Sequence, residues 1–202
     1  MKNVIVSAYY AIPAKFGHDV YLNHLIRFFR SIDCDKNYIV FFTSQETFQE
    51  LKLVLSLDVM GRIHFVLTPF EALFSVSYGD LWARHATLDI EKHSWQLAAI
   101  WSEKPFFVKR AIGLFPDRNR YTWIDAGCIR DDNHEKYFKL FGTRNKYITK
   151  DDPCLHLMQV ADKEKKDFYT GFDFCIGGAC MFGSSDAWII HAKNYAKQLI
   201  RY

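Results

Sequence analysis

Asp125 closes the run Tyr121-Thr-Trp-Ile-Asp-Ala-Gly127, in which aromatic and β-branched residues deliver one acid and two small residues follow it. Such a run suits a short central strand. A carboxylate left unpaired inside an apolar sheet is costly, so Asp125 is expected at the strand's carboxyl end, facing a metal, a hydroxyl or a cation. In open α/β sheets that edge is where ligands bind. Ala126 and Gly127 remove side-chain bulk where another group could approach the backbone. A second stretch, Gly171 to Ser184, carries the pair Gly177-Gly178 inside a strand pattern. Glycines there forgo packing and are expected where a ligand or another backbone comes close.

The elements that must position these residues follow an alternating pattern. Asn3 to Tyr10 reads as the first strand, the Pro13- and Gly17-containing loop Ala11 to Asp19 follows, and Asp19 caps a helix over Val20 to Ile32. Tyr38 to Phe42 is a second strand, Ser44 caps a helix over Gln45 to Leu55, and Ile63 to Leu67 is a third strand. Parts of Glu71 to Lys92 should be helical, with a turn at Ser77-Tyr78-Gly79-Asp80. His93 to Phe115 is a long helical segment that Pro105 either kinks or divides. After Cys128-Ile-Arg130-Asp131-Asp132, the polar stretch to about Lys166 has weak periodicity and reads as irregular structure or a lid. Asp186 to Ile200 forms a last helix, capped by Ser184 or Ser185. Strands alternating with helices predict right-handed crossovers and a mainly parallel sheet flanked by helices, in a single domain over residues 1–202.

Composition narrows the function classes. Aromatic content of 17% beside 24% charged residues describes a folded protein with a substantial core. The net charge of +3 is small and its Lys and Arg are scattered, so nucleic acid is not an expected partner. Five cysteines without a close pair predict reduced thiols and a cytoplasmic setting. No apolar run reaches the length of a membrane span, and Met1 leads straight into a strand, so neither a transmembrane segment nor a signal peptide is expected. The histidines lack ligand spacing, which argues against zinc. No Gly-x-Gly-x-x-Gly, Walker loop or Gly-x-Ser-x-Gly elbow is present.

Trp101-Ser-Glu-Lys-Pro105, then Trp123-Ile-Asp-Ala-Gly127, then Ile176-Gly-Gly-Ala-Cys-Met-Phe-Gly183 together resemble the HtrL/YibB-like glycosyltransferase family. The same features are similar to the amino-terminal glycosyltransferase domain of a large chlorovirus protein, which would place this chain in a host cytoplasm and make it a possible amino-terminal module. The resemblance implies a GT-A fold, a Rossmann-like sheet that binds a nucleotide-sugar, usually with Mn²⁺ or Mg²⁺. Asp125 would match the first acid of the Asp-x-Asp metal motif and contact the metal or the ribose. Gly127 stands in place of the second acid, so further oxygen ligands would come from waters, the diphosphate, Asp80 or Asp131. Lys104, on the Glu-Lys-Pro turn, would reach a phosphate or serve structurally through Glu103.

The expected activity is transfer of a sugar from a nucleotide-sugar, taken as a UDP-sugar, to a hydroxyl of a glycan or glycoconjugate. The alternative is a nucleotide-binding module without transferase activity. Negative charge grows on the leaving phosphate, and Lys104 or Arg130 is the expected cation to meet it. Ser7, Ala8, Tyr9 and Tyr10, with Phe16, should hold the base and ribose where the first strand ends. Thr43 and Ser44 would add polar contacts from the second strand. Ala126, Gly127, Gly177 and Gly178 would line the donor. Asp173 and Asp186, flanking the Gly-Gly strand, are the candidate general bases.

Overall fold

The computed structural model describes residues 3–13, 17–89, 93–135, 154–159 and 176–201. The chain runs β1 (Asn3–Tyr9), α1 (His18–Ser31), β2 (Asn37–Thr43), α2 (Gln45–Val54), α3 (Leu57–Met60) and β3 (Ile63–Leu67). Two 3₁₀ turns, Phe70–Ala72 and Phe74–Tyr78, lead into α4 (Gly79–Ala86) and the long α5 (Trp95–Leu114). Then come β4 (Arg120–Ile124), β5 (His156–Gln159), β6 (Ile176–Ser184) and α6 (Ser185–Leu199). The six strands form one mixed sheet, ordered β3-β2-β1-β4-β6-β5. β1 is parallel to β2 and to β4, and β2 to β3, while β6 runs antiparallel to both β4 and β5.

Alternation along the strands divides the core between two faces. Val4, Val6, Val40, Phe42, Tyr121 and Trp123 face α5, whose Phe107, Val108 and Ala111 are fully buried against them. Ile5, Ile39 and Phe41 face the other way and pack on Leu25, Phe28 and Phe29 of α1. Two helix layers thus enclose the sheet, as an α/β architecture requires. Among the described residues no helix is long and apolar enough to cross a membrane.

Several expectations are corrected. Of the two outcomes expected at Pro105, division into two helices is not what the chain does: α5 is one helix of 20 residues, started by Ser94, whose hydroxyl accepts from the Leu97 amide. Burial of Ala99, Ile100, Phe107, Val108, Ala111 and Ile112 along its length outweighs the one backbone hydrogen bond that proline removes. The turn expected at Ser77-Tyr78-Gly79-Asp80 is instead the junction of a 3₁₀ turn with α4. Gly17, not Asp19, occupies the cap position of α1, and Asp19 falls in its first turn. β5 lies in the stretch expected to be irregular.

Candidate functional site

Strand order makes the site. β1 sends the chain through α1 to β2 on one side, while β4 pairs on its other side, so the carboxyl ends of β1 and β4 diverge into a crevice. Asp125 follows β4 directly at that edge. Its amide donates to the Ala179 carbonyl of β6 at 2.8 Å, and its own carbonyl accepts from Cys128 N–H at 3.0 Å, which fixes the backbone on both sides.

Two residues apart on a strand share a face, so Asp125 points the same way as Trp123, toward α5. The indole of Trp123 stacks on Phe107, with ring centres 5.7 Å apart, and its Nε1 donates to Asp125 Oδ1 at 2.6 Å. From α5, the Lys104 ammonium meets Asp125 Oδ1 at 2.8 Å and Oδ2 at 3.1 Å, 5.8 Å from the centre of the Trp123 ring. The pair is enclosed but not sealed: the Lys104 side chain is 9% exposed and that of Asp125 29%. Glu103 does not partner Lys104. It turns to the other side of the helix and accepts from the Phe74 and Ser75 amides, at 3.3 and 2.7 Å.

Asp125 and Lys104 open into a cavity of ≈ 560 Å³, which also reaches Ala8, Tyr9, Tyr10, Ala126 and Gly127. Its size suits a small-molecule ligand. Of its lining residues, Lys104 and Arg130 carry positive charge and Asp125 negative, a balance that favours an anion. Cys128 is at the wall, but burial pushes its thiol up to about 12, so it is no nucleophile at neutral pH. Tyr10 belongs to the wall more than to the opening, being 3% exposed and stacked on Phe107 at 6.2 Å. A Cβ on Gly127 would meet the Tyr21 ring at 3.6 Å, an ordinary contact, so the neighbour there is α1 and the glycine is not sterically required.

A chain of hydrogen bonds that the sequence did not disclose holds the rim. Tyr9 Oη lies 2.7 Å from His18 Nδ1, and His18 Nε2 lies 2.6 Å from Glu50 Oε2 on α2. A carboxylate only accepts, so in the neutral ring Nε2 carries the proton and Nδ1 accepts from the Tyr9 hydroxyl. Burial pushes that hydroxyl above the ordinary tyrosine range. The spacing rules that dismissed the histidines detect metal ligands, and His18 is a positioning group.

Other expected site residues are placed elsewhere. Ser7 is fully buried inside β1, its hydroxyl donating to the Ile124 carbonyl at 2.6 Å, and Thr43 is fully buried, donating to the Tyr9 carbonyl at 2.7 Å. Both hydroxyls staple strands together and neither lines the cavity. Ser44 caps α2. Asp186 is corrected outright. β6 runs antiparallel to β4, so Ser184 pairs with Arg120 at the opposite edge of the sheet, while Cys180 pairs with Ile124 beside the crevice. Four residues of strand put α6's start roughly 13 Å from the crevice, where exposed Asp186 cannot serve as its base. Gly177 and Gly178 precede Ala179 on β6, at the crevice end, and Gly177 pairs with Met158. Asp173, Phe16 and most of the expected lid lie outside the described residues.

Among the described residues, Asp125 is the one carboxylate that lines the crevice, so a divalent metal there would take its other ligands from waters and the diphosphate. Mn²⁺ or Mg²⁺ takes about six oxygen ligands. Among the described residues no three His, Cys, Asp or Glu side chains converge, and the one carboxylate in the crevice already faces an ammonium. Asp80 is exposed on α4 and Asp131 accepts from the His134 amide at 2.9 Å, so neither joins Asp125.

No protein-family model matches the sequence, and no curated protein matches it, so the resemblance stated above rests on its three motifs. Three solved structures are similar. One is a glycosyltransferase involved in the glycosylation of the major capsid of PBCV-1, at 13% identity and a TM-score of 0.41, covering 97% of this chain and 66% of that one. Another is the galactosyltransferase LgtC in complex with donor and acceptor sugar analogs, at 11% identity and a TM-score of 0.47, covering 98% and 65%. A third is mouse xyloside xylosyltransferase 1 in its apo form, at 11% identity and a TM-score of 0.43, covering 98% and 72%. This chain spans about two thirds of the length of the first two.

Proposed function

We propose that this chain is a GT-A-like glycosyltransferase that moves a sugar from a UDP-sugar to a hydroxyl of a glycan or glycoconjugate. The observation that carries the reading is the Lys104–Asp125 pair at the carboxyl edge of β4, opening into a cavity between the diverging ends of β1 and β4. A nucleoside diphosphate laid in that cavity brings its negative charge toward Lys104 and Arg130, and its ribose hydroxyls can donate to Asp125. Tyr9, steadied by His18 and Glu50, offers a ring face to the base.

In the transfer step the acceptor oxygen bonds to the anomeric carbon as the bond to the diphosphate breaks; the electron pair leaves with the phosphate, and the proton of the acceptor hydroxyl passes to the departing diphosphate or to water. Charge therefore develops beside Lys104. An ammonium already aligned by Asp125 and the Trp123 ring stabilises that charge without reorganising. Removal of one such group lowers turnover by about 10²–10³-fold.

Calorimetric titration of UDP and GDP into the chain, with and without Mn²⁺, on wild type and Asp125→Ala, tests the reading. UDP binding that weakens in the variant is the expected result. Absence of binding of either nucleotide to well-folded protein overturns it, and UDP binding with neither hydrolysis nor transfer of any UDP-sugar leaves a binding module in its place.

A further inference from the structure

A second cavity, of ≈ 460 Å³, is walled by the same pair and by residues of α5, β6 and α6. It shares Trp101, Lys104, Asp125 and Ala179 with the first and adds Pro105, Met181, His191 and Tyr195. We infer that this second cavity is the acceptor seat, taking a pyranose ring against Trp101 with its hydroxyls toward His191, Tyr195 and Asp125. The inference rests on the transferase reading and adds to it the location and class of the second substrate.

Wall chemistry separates the two cavities. Among the described residues the first holds two cations, Lys104 and Arg130, and suits a diphosphate. The second holds, among the described residues, one cation, Lys104, facing Asp125, beside apolar surfaces and neutral polar groups. A sugar ring has that same division, with C–H faces that pack on aromatic rings and a girdle of hydroxyls that hydrogen-bond. Trp101 is 44% exposed in a chain whose other described tryptophans at the core, Trp82, Trp123 and Trp188, are all under 9% exposed. Its ring lies 5.1 Å from that of His93 with the two planes 66° apart, and Trp101 lines both cavities.

The polar groups are fixed as well. Tyr195 Oη lies 2.7 Å from Ser102 Oγ, and its ring sits 6.0 Å from His191 and 6.2 Å from Phe106. Burial lowers the His191 pKa below the ordinary histidine value, so the ring is neutral near pH 7 and offers one donor and one acceptor. Pro105 has no N–H for the Trp101 carbonyl, and both residues face this cavity. A helix carbonyl without its usual donor is an acceptor for a sugar hydroxyl. The position of Asp125 and Lys104 in both walls puts an acceptor hydroxyl and the leaving phosphate next to one charged pair.

The test uses methyl glucopyranosides and methyl galactopyranosides of both anomers as probes, on wild-type protein saturated with UDP. Ligand-observed saturation-transfer NMR reads the glycosides, and ¹H–¹⁵N spectra read the Trp101 indole N–H, assigned with Trp101→Phe. At least one glycoside is expected to receive saturation and to shift the Trp101 indole signal. His191→Gln should weaken that glycoside by about tenfold while changing UDP affinity by less than about twofold. No glycoside response on UDP-saturated wild type overturns the seat even if that variant misfolds, and leaves the donor reading standing. A His191→Gln effect confined to UDP-sugar, with free glycosides unaffected, also overturns it, since the cavity would then hold the donor's own sugar. Failure of UDP itself to bind is a failure of the transferase reading and shows separately.

Discussion

Glu103 and Asp125 are two carboxylates held against the same turn of α5, and they are closed in opposite ways. Glu103 is 1% exposed and its oxygens accept from the Phe74 and Ser75 amides, which are fixed backbone donors of a 3₁₀ turn. Asp125 is held by Lys104 and by the Trp123 indole, both side chains, and 29% of it faces a cavity. The first arrangement has no room for a ligand and joins α5 to the segment before α4. The second leaves a charge pair whose partners can be shared with an incoming group. Neighbouring residues of one sequence motif therefore divide into an acid closed by backbone donors and a cation that lines a cavity.

That contrast breaks first at Asp125. Asp125→Asn keeps the shape and still accepts from Trp123, but withdraws the charge that aligns Lys104. Turnover of a UDP-sugar, by transfer or hydrolysis, should fall by about 10²–10³-fold, with little change in the thermal midpoint. A variant that loses stability but keeps turnover would make Asp125 a second Glu103. Lys104→Met comes next. It leaves the diphosphate without its nearest cation, and calorimetry should show UDP binding weakened by about tenfold. Unchanged UDP affinity there would remove Lys104 from the donor site.

Glu103→Gln should do the reverse. A carboxylate that accepts two amides becomes a group with one acceptor and an NH₂ facing a donor, a loss of about 1–3 kcal/mol in denaturant unfolding. Activity per folded molecule should stay within about twofold, because Glu103 touches neither cavity. Loss of activity without loss of stability would show that the helix turn couples the two acids.

Asp125 was legible because the pattern that makes a buried strand also dictates where its acid must stand. The sheet's class was legible too, since strand-helix alternation has few topological solutions. Asp186 was misread for a physical reason: a strand's local pattern does not encode its direction. β6 looks the same whichever way it runs, and only its pairing with β4 sends Ser184 to the far edge. Ser7 and Thr43 were misread because a hydroxyl near a strand end serves ligand or carbonyl equally well until the neighbouring strand is known. His18 and His191 were invisible to spacing rules, since their partners, Glu50 in one case and Tyr195 in the other, are set by helix packing.

The smallest effect distinguishes the cavities by pH. Burial lowers His191, and burial together with the charges of Arg130 and Arg27 lowers His24. A histidine whose folded pKa lies below its unfolded value of about 6.5 contributes stability above that value and loses it as pH falls through the folded pKa. Unfolding free energy should thus decline as pH drops from 7 toward 5, and His191→Gln, having no proton to gain, should remove part of that decline. His24 lies outside both cavity walls, so His24→Gln should flatten the stability profile without touching glycoside binding. Glycoside binding at the second cavity should weaken over the same pH range, because a protonated His191 no longer accepts from a hydroxyl. A pH-independent glycoside response beside a pH-dependent fold would leave His191 as packing between Trp188 and Tyr195, and Trp101 as the cavity's recognition surface.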